Sequence, residues 1–202
     1  MVSRVLVAAL LVPALVAPRR LPSATRRTAL PAVWNIDPAH TGVGFTIRHF
    51  VSRVRGKFND VKGTITADPD LWQNAVIEVE IATASISTGN DRRDTHLRSN
   101  DFFAADSFPT ITFRSTRIER TGDAAKIYGN LTIRGVTKPV VLDGQFTGLM
   151  KSTQGDRVGF EASTTVNRLD YGVKWNRAAE GGGAMLGDEV KIEITAEAVR
   201  AK

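Results

Sequence analysis

The sequence predicts an all-β fold: an eight-stranded antiparallel up-and-down barrel with one short helix inserted between the third and fourth strands. Three observations carry this. Eight runs alternate apolar and polar residues, so each has essentially one apolar face. Most of them follow one another through short connections. One stretch, residues 88–110, breaks the alternation. Strands with one dry face need a cover on that side, and a sandwich or a closed barrel supplies it. With no cysteine, the Cys…Trp…Cys pattern of an immunoglobulin sandwich is missing, and the simple succession of strands favours the barrel.

Residues 41–50 place Val43, Phe45 and Ile47 on one side, with Thr46 and Arg48 on the other. Residues 51–55 read as a turn, and residues 56–67 as a second strand carrying Phe58, Val61 and Ile65. Asp68-Pro69-Asp70 is a turn signal. Residues 76–81 oppose Ile77, Val79 and Ile81 to Glu78 and Glu80, and the strand is expected to reach Ile86. Residues 110–118, 126–133, 138–148 and 157–166 follow, with Arg134-Gly135 as a tight turn. Residues 167–187 form a long glycine-rich loop, and residues 189–199 close the domain through Val190, Ile192 and Ile194.

The exception between the third and fourth strands reads as a short, wet helix acting as a lid or plug. Thr88 or Asn90 can cap it, and Asp91 and Asp94 place negative charge in or near its first turn. Leu97 is its only large apolar residue. Phe102, Phe103 and Phe108 then cluster before Pro109 ends the segment.

Residues 1–17 read as a secretory signal: Arg4 precedes an apolar run over residues 5–17 that is too short to span a bilayer. A periplasmic or secreted protein is expected, or a cytoplasmic one if the start codon is mis-assigned. Residues 18–32, rich in Pro, Ser, Thr and Arg, read as a disordered basic tether, and the barrel domain occupies residues 33–202. The net charge of +6 is mostly a property of this leader. Residues 1–32 contain five arginines and no acid, so the 27 basic residues fall to 22 against 21 acidic ones in the domain. A nearly neutral domain is a poor nucleic-acid ligand. Without cysteine there is no disulfide and no thiolate metal site.

Catalysis finds little support. No G-x-S-x-G elbow is present, Ser85 and Ser87 have no identified base, and Gly181-Gly182-Gly183 lacks the Lys-Ser/Thr of a phosphate loop. The histidines His40, His49 and His96 have no compact ligand spacing, so a metal-dependent enzyme using them is the weaker alternative to structural roles. In the structural reading, His40 and His49 flank the first strand and His96 with Asp94 ties the helix to the barrel rim.

Several motifs together resemble one family. They are Trp34-Asn35-Ile36-Asp37 with His40-Thr41, Phe45-Thr46-Ile47-Arg48-His49 and Gly56-Lys57-Phe58. Ser85-Ile86-Ser87-Thr88 then leads to Arg93-Asp94-Thr95-His96-Leu97 and Asp101-Phe102-Phe103. Phe108-Pro109-Thr110-Ile111, the run from Gly129 to Lys138, and Asn167-Arg168-Leu169-Asp170-Tyr171-Gly172 complete the set. Each is weak alone, and the ordered set is specific. From Trp34 to about Ala198 the chain resembles the YceI-like family, the lipocalin-like polyisoprenoid-binding proteins of bacteria.

The resemblance implies an extended eight-stranded barrel whose apolar tunnel holds an isoprenoid or similar lipid tail. No cofactor beyond that lipid, no enzymatic activity and no stable insertion of the mature chain in a membrane are expected. A homodimer stays open, as does an interaction or stress-response role in which the barrel is only a scaffold. Candidates for the tunnel wall are Phe45, Ile47, Phe58, Ile77, Ile111, Phe113, Leu131, Ile133, Leu142, Phe146, Phe160 and Trp175. The same residues would serve a solid core. Candidates for an entrance that meets a head group are Arg93, Asp94, His96, Arg168 and Asp170. For the pairs Arg93–Asp94 and Arg168–Asp170 the reading as structural pins is favoured.

Overall fold

Residues 31–68, 71–178 and 182–202 are described by a computed structural model. The leader, the tether up to residue 30, Pro69 and Asp70 of the second turn, and Gly181 of the glycine run lie outside the described residues.

Among the described residues eleven strand segments form one sheet: β1 (Ala32–Ile36), β2 (Gly42–His49), β3 (Ser52–Phe58), β4 (Val61–Asp68), β5 (Leu71–Ala82), β6 (Ile86–Ser87), β7 (Thr110–Thr121), β8 (Ala124–Ile133), β9 (Val136–Met150), β10 (Arg157–Asn167) and β11 (Leu186–Arg200). Among the described residues the α-helix is α1 (Asp91–Arg98), between β6 and β7. Six segments are halves of three bent strands. β1 leads to β2 through a 3-10 turn at Pro38–His40, β3 to β4 through Asn59-Asp60, and β5 to β6 through a 3-10 turn at Thr83–Ser85. β1 pairs with β4 and β2 with β3, while β4 pairs with β5 and β3 with β6. Counted this way there are eight long antiparallel strands. Pairing of β11 with both β1 and β2 closes them into a barrel.

The differences from the expected elements are local. The turn placed at residues 51–55 is only Phe50-Val51; Arg53, Val54 and Arg55 already pair with Arg48, Ile47 and Thr46. The alternation there is hard to read because Val54 and Gly56 make a thin apolar face between cations. The strand expected over residues 56–67 bends at Asn59-Asp60, where Asn59 N–H donates to the Ser85 carbonyl at 3.2 Å and Ala82 N–H to the Asp60 carbonyl at 3.0 Å. Ala32, assigned by composition to the tether, pairs with Ala67 and opens β1.

The interior divides along the barrel axis. Trp34, Ile65, Val158 and Ala198 pack near the end that holds the chain termini, with Trp72 and Phe160 against them. Val43, Phe58, Ile86, Ile111, Leu131 and Tyr171 pack toward the α1 end.

The bend between β1 and β2 is fixed by Asp37. Its side chain accepts from Ala39 N–H and from Arg157, each at 3.0 Å, and lies 3.0 Å from His40 Nδ1; Arg157 also pairs with Glu197. His40 and then Arg157 hold the Asp37 carboxyl down to about 2. Its folded pKa lies below the ordinary 3.8, so its contribution is whole above that value and fades as pH falls toward 2. Asp37→Asn is expected to lower stability at neutral pH and to flatten the change in urea midpoint between those two pH values. A variant with the wild-type pH profile would assign acid unfolding to other carboxylates.

Candidate functional site

Register decides which side chains meet inside. On one rung Ala125 faces Gly144, Gly144 faces Ala162, Ala162 faces Ile194 and Ile194 faces Val43. Three neighbouring positions on that wall are alanine or glycine, and Ile127 of β8 leans over Gly144, its Cδ1 3.0 Å from where a Cβ there would stand, while Ala125 and Ala162 stay short toward the lumen. A well-packed core would place a large residue opposite a small one. Here the space stays open as a cavity of about 700 Å³ along the barrel, within the usual range for small-molecule sites.

Exposed residues line both ends of this tunnel: Asn90, Arg92 and Arg93 beside α1, and Arg120, Asp123 and Glu161 at the far end. Between them the wall is almost wholly apolar. All twelve residues expected inside, from Phe45 to Trp175, face the cavity. Sequence reading missed Trp72, because residues 71–75 carry no clean alternation. Trp72 lies 5.6 Å from Trp34 and 5.8 Å from Phe160, ring to ring, and lines the far half. It also missed Ala125, Gly144 and Ala162, whose smallness matters only once the register is known.

The plug is built by capping and by aromatic packing. Asn90 is the N-cap of α1 and accepts from Arg93 N–H at 3.0 Å. Asp94 is buried and accepts from the Thr88 N–H at 2.9 Å and hydroxyl at 2.5 Å. Burial alone would raise the Asp94 carboxyl, but the bonds from Thr88 outweigh it and lower its pKa. Arg93 donates to the same Thr88 hydroxyl at 2.7 Å and to the Thr88 carbonyl at 3.1 Å, so Arg93 and Asp94 meet through Thr88. Phe103 stands edge-on to Phe58 at 5.8 Å, which seats the plug on the barrel interior.

Two expected polar contacts are corrected. His96 lies 2.8 Å from Asp101 and packs on Phe102 and Trp175; Asp94 points to Thr88 instead. Arg168 turns away from Asp170, which is exposed, and ion-pairs with Asp188 at 3.2 Å. The buried Arg168 guanidinium also donates to the carbonyls of Gly187 at 2.8 Å, Val173 at 2.7 Å and Trp175 at 2.9 Å. Burial pulls its pKa down against the pull of Asp188. Adjacency in sequence suggested the wrong acid in both places because a 3-10 turn or a short helix sends neighbouring side chains to different faces.

The family model of the YceI-like domain matches residues 34–198. The chain belongs to the YceI-like family. A UPF0312 protein of Staphylococcus aureus (strain bovine RF122) is 38% identical over 167 residues, which cover 81% of this chain and 95% of that one. The YceI protein of Campylobacter jejuni superposes with a TM-score of 0.64 at 29% identity, over 75% of this chain and 88% of that one. A polyisoprenoid binding domain from Saccharophagus degradans has a TM-score of 0.61 over 83% of this chain and 98% of that one, and at 14% identity it shares the fold alone.

In this YceI-like barrel the three histidines stay apart. His40 belongs to the Asp37 clamp, His49 to the β2 end and His96 to the plug. Among the described residues Asp37, His40 and Glu197 are close enough to share an ion. Arg157 already bonds both carboxylates, and that position holds a guanidinium.

Proposed function

We propose that this YceI-like protein binds a long apolar lipid tail in its barrel interior, without catalysis, as a carrier or store. Polyisoprenoids, isoprenoid quinones and fatty-acid-like lipids are the candidate class. The observation that carries the reading is the tunnel of about 700 Å³, almost wholly apolar between its ends and bordered by solvent-exposed residues at both. A buried methylene is worth roughly 0.8 kcal/mol, so a tail needs no charged partner to bind tightly, even after ordering costs. The polyisoprenoid binding domain of Saccharophagus degradans, which has the same fold, supports the choice of ligand class. The leader over residues 1–17 supports a periplasmic or secreted site of action, and a homodimer is compatible with this role.

Arg93 and His96 stand at the α1 mouth, where a polar head group would emerge. Asp94 and Arg168, committed to Thr88 and to the loop carbonyls, act as pins. Native protein extracted with organic solvent is expected to yield one dominant long-chain lipid by mass spectrometry. It should also take up a fluorescent isoprenoid at one site per chain. An extract without lipid, from protein that takes up no isoprenoid, would sink the proposal.

A further inference from the structure

We infer that the β2–β3 hairpin is a docking surface for an anionic lipid bilayer, and that it sets the α1 mouth of the tunnel against the membrane. The inference rests on the lipid reading above and says where the lipid enters.

The tip of the hairpin is apolar and held out. His49 pairs with Ser52, leaving Phe50-Val51 as a two-residue loop. Val51 is fully exposed and Phe50 is 39% exposed. Phe50 has φ of 50°, a left-handed conformation that glycine or asparagine takes at lower cost. The backbone is braced there: Phe50 N–H donates to the Met185 carbonyl at 2.8 Å, and Arg48 donates to the Phe50 carbonyl at 3.1 Å. The chain therefore spends conformational energy to present two apolar side chains to solvent.

Behind the tip lies a cationic skirt. Residues 41–58 contain Arg48, Arg53, Arg55 and Lys57 and no acid. Strand alternation sends Val54 and Phe58 inward and Arg53, Arg55 and Lys57 outward. Arg48 sits directly across from Arg53, a like-charge pair that costs stability. None of these four cations ion-pairs with a carboxylate among the described residues. On the adjoining strand Lys191 and Glu193 satisfy each other at 2.6 Å. The domain as a whole is nearly neutral, so this excess is local.

The mouth opens beside the same hairpin. β3 meets β6 only at Lys57–Ser87 and Phe58–Ile86, so residues 52–56 have no strand partner on that side. Asn90 and Arg92 of the neighbouring helix end are exposed and line the tunnel there. An apolar tip, unpaired cations and a tunnel mouth on one end fit a negatively charged interface of lipid head groups. An acidic protein or a nucleic acid would use the cations and have no need of the tip.

The test is co-sedimentation of the full chain with phosphatidylcholine vesicles, with and without phosphatidylglycerol. Binding is expected only with phosphatidylglycerol and should weaken with salt. R53Q with R55Q should weaken it by about five-fold per arginine. F50N with V51S should weaken it at unchanged melting temperature, since asparagine suits the left-handed position. The N-terminal arginines are common to all forms; binding unchanged in both variants would assign it to them and overturn the inference. Equal binding to neutral vesicles, or equal retention on duplex DNA that ignores F50N and V51S, would overturn it too. Uptake of a fluorescent polyprenol from detergent separates the two readings. Uptake without vesicle binding overturns the docking surface alone, and vesicle binding without uptake supports docking and overturns the lipid tunnel.

Discussion

Replacing Arg168 with methionine is expected to cost about 3 kcal/mol and to lower the melting temperature by roughly 6–12 °C. The reason is the number of backbone groups that depend on one side chain. The loop between β10 and β11 carries Tyr171, Val173, Trp175 and Met185 into the tunnel wall, and its Val173 and Trp175 carbonyls turn to Arg168. Arg168 answers the loop carbonyls of Val173 and Trp175 and that of Gly187 at the start of β11, and is itself buried. Methionine fills similar space and donates nothing, leaving acceptors that must reach water or stay unmet. Asp188 is half-exposed, and its bond to Arg168 contributes less. Asp188→Asn should therefore shift melting only slightly. Arg168→Lys should recover little, because an ammonium cannot span three carbonyls as the planar fork does. Thermal and urea unfolding of the three variants check this. If Asp188→Asn destabilises as much as Arg168→Met, the ion pair and not the fork holds the loop. Because the loop is also wall, the Arg168 variant should lose lipid together with stability.

Much of this architecture can be read from residue patterning, for an identifiable reason. A strand with one buried face repeats every second residue, and Ile77-Val79-Ile81 or Val190-Ile192-Ile194 cannot be shifted by one without turning the core outward. Those strands, the helix and the family resemblance therefore stand. Where the apolar face thins to Val54 and Gly56, the period fades and a strand looks like a turn. Where a long strand bends, as at Asn59-Asp60 and Thr83–Ser85, the bend depends on contacts with a segment distant in sequence. The partners of Arg168 and His96 were illegible for the same reason, since both depend on how a loop folds back. Whether the interior is hollow lay furthest from view. The twelve inward residues suit a solid core as well as a tunnel, and the three small residues on β8, β9 and β10 that border the open space come together only in register.

Those three positions give the sharpest test of the tunnel. Ala162→Trp is expected to abolish lipid retention, by more than about a hundredfold, while leaving the fold intact. Ala162 sits between Gly144 and Ile194 on the open rung, with its side chain toward the lumen. An indole placed there enters unoccupied space; the overpacking cost that a filled core would impose does not arise. Any tail threaded past this rung must give up its deeper methylenes. Losing four of them forfeits about 3 kcal/mol, which is more than a hundredfold in affinity. Stability should hold or rise slightly, because the added ring buries apolar surface in a void. The same substitution in a solid barrel would do the opposite, lowering the melting temperature with no ligand to lose. Measuring both quantities on one variant therefore separates a hollow barrel from a filled one. A tryptophan variant that melts lower and still carries its lipid would place the ligand outside this rung. The open space beside Ala162 would then be an incidental gap in the packing.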